Sequence, residues 1–350
     1  MQKPTLGWQS WSPPYSVWHG FPRWDYSPFK TVLDHKNLKS RRGLKSKILY
    51  WCSWYAHDTK INDSIITNTL GIIKDCQLPF THILIDDGWT TRGDWLIPDP
   101  IKFPDFKKTI DSIHEHNLKV GLWYSPFLAD SFSSLYKTHP NWFVKYKNKP
   151  VQGLKTMPIW ESLIPQRYLL NFDLPEVKNY TKKYLKLAVE KWGVDLIKLD
   201  FLYAPYFDPN QNTSSRPTLH LTWLLEYIKH TYPNVITIAC GAPFMESGNL
   251  VDVIRVSKDT ALPPFVPTII NRLVYQSRIN MLRETLKADL PPQLNLDPDV
   301  RMFSLDTPQT SHFWDTIQTP VMGVGDNLLL LDNDKLKRLN LWLQNHSSLS

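Results

Sequence analysis

The 350-residue chain is poor in several things, and each shortage excludes a class of protein. Its three cysteines, Cys52, Cys76 and Cys240, fall at unrelated spacings, which leaves no disulfide framework and no metal-ligand pattern. No run of 18 apolar residues occurs, so no membrane span is expected. The start, Met-Gln-Lys-Pro-Thr-Leu-Gly-Trp, has no apolar h-region. No signal peptide is therefore expected, and a reducing, cytoplasmic home is the expectation. No strand pattern leads into a Gly-rich phosphate turn, which argues against a doubly wound dinucleotide-binding sheet. The formal charge is +7, but the basic residues are scattered along the chain without interleaved aromatics. They read as solvated helix faces, and no nucleic-acid partner is expected.

What is present is a composition of 42% hydrophobic and 21% charged residues, that of a globular protein with room for one large core. Aromatics are abundant, with 15 Trp, 15 Tyr and 15 Phe. Flat apolar rings match the C–H face of a pyranose, but they also fill ordinary cores. Residues 1–45 are rich in Trp, Pro, Tyr and Ser without a steady period. They form an irregular extension, too aromatic for a disordered tail, expected to pack on the main domain over 46–350.

From Lys47 onward strand and helix patterns alternate. Apolar runs at 48–52, 81–86, 118–123, 194–200, 235–240, 251–255, 293–297 and 320–323 read as strands. Helices are expected at 62–75, 106–117, 175–192, 218–230, 267–282, 310–318 and 334–344, several announced by Asn, Asp or Pro at their starts. A long loop is expected over 125–172 and another over 204–216. Strand–helix alternation implies parallel strands with right-handed crossovers, and eight such units imply an α/β fold of the (β/α)8 TIM-barrel type.

Polar residues recur where these strands end, which in such a barrel is one common mouth. The fourth strand carries Lys198 and Asp200 two residues apart, so their side chains should lie together on one face. The second ends in Asp86-Asp87-Gly88, the third in Trp123, the fifth in Cys240-Gly241. The sixth offers Arg255 and, four residues on, Asp259; the first offers Trp51 and Trp54. Taken singly each has a plain reading: a turn, a surface ion pair, a core ring, a buried thiol. Together they place four carboxylates, two cations and several aromatics at one mouth. Crowded carboxylates repel, and a pair with split pKa values can divide nucleophile and acid roles, the apparatus of glycoside hydrolysis.

At these residues the chain resembles clan D of the retaining glycoside hydrolases, and within it the α-galactosidase-like family 36. The matching motifs are IDDGW (85–89), GDW (93–95), GLWYSPF (121–127), KLDF (198–201), CGAP (240–243), RVSKD (255–259) and DPDV (297–300), in family order. The resemblance implies an exo-acting hydrolase of terminal α-linked galactose. Asp200 would be the nucleophile and Asp259 the general acid/base. Asp86, Asp87, Lys198 and Arg255 would bind sugar hydroxyls, Trp54 and Trp123 would line the pocket, and Cys240-Gly241 would wall the sugar's 2-position. It implies no metal and no organic cofactor, and an α-galactoside oligosaccharide as partner. GWQSWS (7–12) resembles the end of the β-sandwich that usually precedes the barrel, and Trp8 or Trp11 would then lean over the pocket. The flanking β-domains themselves are not expected here. Related family 27 members usually place a glutamate where Gly241 stands, so an α-N-acetylgalactosaminidase stays open. So do a transglycosylase of the raffinose-synthase kind and a non-catalytic sugar-binding barrel.

Overall fold

The computed structural model describes residues 39–153, 166–210, 216–287 and 290–347. Nine strands make one parallel sheet: β1 (Ile48–Cys52), β2 (His82–Ile85), β3 (Lys119–Tyr124), β4 (Leu196–Leu199), β5 (Ile236–Ala239), β6 (Val253–Arg255), β7 (Leu296–Asp297), β8 (Val300–Arg301) and β9 (Val321–Val324). Their order is β7-β6-β5-β4-β3-β2-β1-β9-β8. The two ends of that order, β7 and β8, are parted along the chain only by Pro298 and Asp299. One interrupted strand thus pairs with β6 through its first half and with β9 through its second, and the sheet closes into a (β/α)8 barrel. The interruption has a local cause: Pro298 has no N–H to give a ladder, and Asp299 sits at φ +79°.

All residues of β1, β2, β4 and β9 are buried. Strands covered on both faces must be apolar nearly throughout, which is why Ile48–Cys52 and Leu196–Leu199 read as continuous runs rather than alternations. The register pairs Trp123 of β3 with Lys198 of β4, so the ends of neighbouring strands lie level.

Helices α1 (Asp63–Asp75) and α2 (Phe106–Glu115) start at Asn62 and Asp105, whose side chains accept from the N–H groups of Ile65 and Lys108. α3 (Pro175–Lys186) has proline at its first turn and runs on through a π-helical turn, Leu187–Trp192, to Gly193 in the left-handed conformation. α4 (Arg216–Thr231), α5 (Thr268–Lys287), α6 (Pro308–Thr316) and α7 (Asn333–Asn345) complete the outer layer. No helix among the described residues is long and apolar enough to cross a membrane.

Two expectations need correction. The long loop over 125–172 is structured in its described parts: Leu128–Asp130 pairs with Arg167–Leu169, and a short helix covers Ser134–Thr138. Its short strands and single helical turn are each too brief to leave a periodic pattern. Between β5 and β6 there is no full-length helix, only Phe244–Ser247.

Of the expected extension, only 39–45 falls among the described residues, so Trp8 and Trp11 lie outside them. The described part is fastened to the strands' N-terminal end. Ser40 N–H donates to the Gln293 carbonyl and Arg41 N–H to that of Val251. Arg41 and Arg42 both pair with the fully buried Asp252, at 2.6 and 2.8 Å.

One group of the aromatics packs outside β2–β4. Trp89 stacks on Phe106 with ring centres 5.4 Å apart, and Trp95 meets Tyr124 edge-on at 5.0 Å. The Trp89 indole donates to the Trp123 carbonyl at 3.0 Å, which ties this cluster to a strand end at the mouth.

Candidate active site

At the C-terminal end of the barrel the strand ends carry the charges that the motifs predicted, but their partners differ from the expected ones. Lys198 and Asp200 do not pair. The Lys198 ammonium crosses to Asp86, with Nζ 2.6 Å from Oδ2 and both side chains buried. The Cys52 thiol donates to the same oxygen at 3.4 Å, and Asp87 N–H donates to the other, Oδ1, at 2.8 Å. Asp200 instead accepts from the Trp123 indole N–H at 3.0 Å and from Phe201 N–H at 2.7 Å. Asp200 still keeps the strand's ladder, its N–H donating to the Tyr124 carbonyl at 2.9 Å, so the two residues stay in line while their charged ends find different partners.

The Asp200 carboxyl is raised above its ordinary pKa. Burial is the main cause, Lys198 and the Trp123 donor pull it back, and the charge of Asp259 adds to the rise. The two aspartates, 59 positions apart in the chain, therefore share one electrostatic neighbourhood. Their settings differ: Asp200 is half-buried and held by two N–H donors, whereas the Asp259 side chain is 56% exposed.

Arg255 stands between Asp259 and a carboxylate that the strand-end reading did not assign. Its Nη2 lies 3.3 Å from Asp259 Oδ1 but 2.5 Å from Asp299 Oδ2. Asp299 is buried and also accepts from the Tyr55 hydroxyl at 2.5 Å, the Thr260 N–H at 2.8 Å and the Thr260 hydroxyl at 3.0 Å. Burial pushes its pKa up to about 6, against the pull of Arg255. An exposed pair contributes about 0–1 kcal/mol, whereas breaking a buried one costs about 3–5 kcal/mol. Asp299, not Asp259, is thus the main partner of Arg255. DPDV at 297–300 was the sequence signal for it.

Asp87 is likewise occupied. Arg92 donates Nε to Asp87 Oδ2 at 2.7 Å and Nη1 to Asp130 Oδ2 at 3.0 Å. Asp130 also faces Arg167 at 3.7 Å, and the Arg167 guanidinium lies over the Phe201 ring, 5.2 Å from its centre. Burial, with the like charge of Arg92 beside it, lowers the Arg167 pKa to about 10 against the pull of Asp130 and Asp87. Arg92, Asp130 and Arg167 escaped sequence reasoning. Arg92 lies on the turn after β2, and Arg167 comes from the far side of the long insertion, where no periodicity points to it. Gly88, at φ +111°, allows that turn: a Cβ there would lie 2.6 Å from Thr59 Cα.

The remaining predicted residues distribute as follows. Trp123 is buried at the end of β3, and Cys240 is buried just past β5. The Cys240 thiol is pushed up chiefly by burial, and it feels Asp200, Lys198 and Arg255 together. Gly241 follows at φ +66°. Trp54 opens the single helical turn Trp54–His57 and is half-buried against the core. Trp51 is core: its indole donates to the Asp326 carbonyl at 2.9 Å.

A family profile described as melibiase matches residues 30–253. The chain belongs to the melibiase family. A probable α-galactosidase C of Aspergillus terreus is 23% identical over 225 residues, covering 59% of this chain and 28% of that protein. α-Galactosidase 2 of Pediococcus pentosaceus is 35% identical over 135 residues, covering 35% of this chain and 17% of the other. The chain thus spans less than a third of these melibiase relatives' length. Among solved structures, an α-galactosidase from Thermus thermophilus in complex with stachyose superimposes with a TM-score of 0.68 at 24% identity, over 87% of this chain and 66% of that one. That likeness places the fold among those of solved α-galactosidases.

Proposed function

We propose that the protein is a retaining exo-glycoside hydrolase that removes terminal α-linked galactose from oligosaccharides. One observation carries this reading. Asp200 and Asp259 come from different strand ends into a single electrostatic neighbourhood, one fixed by N–H donors and one largely exposed beside a guanidinium. That asymmetry suits a double displacement. Asp200 attacks the anomeric carbon and the glycosidic C–O bond breaks, while Asp259 hands its proton to the departing oxygen. Asp259, now a base, takes a proton from water, whose oxygen attacks the same carbon and frees Asp200.

Asp86, Asp87, Lys198 and Arg255 would bind sugar hydroxyls, with Trp123 and Trp54 as apolar surfaces. Cys240 and Gly241 would stand at the 2-position. The relatives named for α-galactosidase activity and the Thermus enzyme with stachyose support galactose as the glycone and an oligosaccharide as the substrate. Cytoplasmic residence belongs to the same proposal, supported by the three free thiols.

The test is hydrolysis of a panel of aryl α-glycosides with proton NMR of the first-formed sugar. Release of α-galactose from the galactoside supports the reading. β-Galactose as the first product overturns retention, and galactose binding by calorimetry without turnover overturns the enzyme. Preference for the N-acetylgalactosaminide, or transfer to an added sugar acceptor in place of water, moves the protein to another reaction on the same barrel.

A further inference from the structure

Arg255 divides its charge unequally between two carboxylates, and the unequal division has a use. Asp299 Oδ2 lies 2.5 Å from Arg255 Nη2, and Asp259 Oδ1 lies 3.3 Å from the same nitrogen. The same Asp299 oxygen accepts from the backbone and hydroxyl of Thr260, the residue after Asp259. Asp299 therefore holds both the cation beside Asp259 and the chain that carries it. It sits in the break between β7 and β8 at a φ of +79°, unusual for a residue other than glycine.

We propose that Asp299 is the positioning residue that keeps Asp259 a competent proton donor, by drawing the Arg255 guanidinium away from it and anchoring Thr260. The proposal rests on the glycosidase reading above. A carboxylate directly paired with arginine gives up its proton too readily to act as an acid; one with arginine held slightly aside keeps it longer while staying fixed in place. The groups facing Asp259 come from every side of the mouth. They are Arg255 at the end of β6, Asp299 between β7 and β8, Tyr55 after β1, and Asp200 and Tyr203 after β4. Lys258 is its chain neighbour. From α5, Arg278 donates Nη1 to the Asp259 carbonyl and to the Ala261 carbonyl, fixing the loop's backbone rather than its carboxyl. Of these, Asp299 alone shares a guanidinium nitrogen with Asp259 and also holds the adjoining residue.

The experiment is the pH profile of kcat/KM for Asp299→Asn with two substrates, phenyl α-galactoside and 2,4-dinitrophenyl α-galactoside. The first leaving group needs a proton and the second does not. With the Asp299 charge gone, Arg255 turns to Asp259. The alkaline limb for the phenyl substrate should then fall by about one pH unit or more. At pH 7 the phenyl substrate should lose at least about tenfold more than the dinitrophenyl one. Tyr55→Phe gives a second, milder variant with the opposite sign. It deletes the 2.5 Å donor to Asp299, a far closer contact than the 3.5 Å one between Arg255 and the same hydroxyl. Asp299 then holds Arg255 more tightly, and the alkaline limb moves up. If Asp299→Asn does not fold, the direction in Tyr55→Phe decides alone. An unmoved alkaline limb, with equal losses on both substrates, overturns the proposal and leaves Asp299 a structural residue. Failure of the wild-type protein to hydrolyse either substrate overturns the glycosidase reading instead.

Discussion

The ammonium of Lys198 lies 2.6 Å from Asp86 Oδ2, although β3 separates their strands in the sheet. Gly121 of β3, lacking a side chain, sits between Leu84 and Leu196 where a Cβ would come within 2.9 and 3.2 Å of them. The pair joins β4 to β2 across the barrel's interior, and it leaves Asp200 to the indole of Trp123. Cation and nucleophile candidate are thereby coupled through the field rather than by contact, since Lys198 still lowers the Asp200 pKa from nearby.

Lys198→Met should therefore have two separable effects. It strands a buried carboxylate, so urea unfolding should report a loss of about 3 kcal/mol or more. It also removes the strongest influence holding the Asp200 pKa down, so the acid limb of kcat/KM should move to higher pH. Unchanged stability and an unmoved acid limb would show that the pair does not form in solution.

Asp200→Asn should lower kcat/KM for an aryl α-galactoside by about a thousandfold or more, because removing a nucleophile leaves only binding and electrostatic assistance. Mass spectrometry after a 2-fluorogalactosyl fluoride should find the label on Asp200 in the wild-type protein. A label on Asp259 would exchange the two roles.

The acid limb has a definite sign in the wild-type protein as well. Burial raises the Asp200 carboxyl, and a nucleophile must be ionised. Activity should be fully present at neutral pH and be lost as pH falls through a value above the ordinary 3.8 of a carboxylate. Trp123→Phe deletes one of its two N–H donors and should move that loss to still higher pH. A limb that stays in place, or moves down, would contradict the role given to the indole.

How far the sequence could show all this depended on what each residue answers to. Strands such as Ile48–Cys52 are buried on both faces, so their composition is dictated and the run is visible. Helix starts at Asn62 and Asp105 are legible because a side-chain oxygen must meet a free N–H there. Strand ends could be counted, which brought Asp86, Trp123, Asp200 and Arg255 to one mouth. Pairing was another matter. Whether Lys198 meets Asp200 or Asp86 is decided by which carboxylate its long side chain reaches, and that has no periodic signature. Arg167 reaches the site through an insertion whose short strands, Leu128–Asp130 and Arg167–Leu169, leave no pattern. Asp299 lies between the two-residue halves of a broken strand, so only the DPDV motif, and no strand pattern, pointed to it.

The opposite end of the barrel offers a control that separates folding from chemistry. Asp252 is fully buried at the entrance to β6, accepts from the Thr237 N–H at 2.8 Å and the Thr237 hydroxyl at 3.1 Å, and pairs with both Arg41 and Arg42. The Arg41 side chain is only 6% exposed, so its charge has little water to fall back on. Asp252→Ala should cost about 3–5 kcal/mol in urea unfolding, most of it from Arg41, because Arg42 is a third exposed and can rehydrate. Arg42→Ala alone should cost about 1 kcal/mol or less. Asp252 lies before β6 and Arg255 at its end, with the strand's length between them, so kcat/KM per folded molecule should not change in either variant. A fall in kcat/KM at full foldedness would mean that the N-terminal segment, fastened at this clamp, acts on the mouth of the barrel.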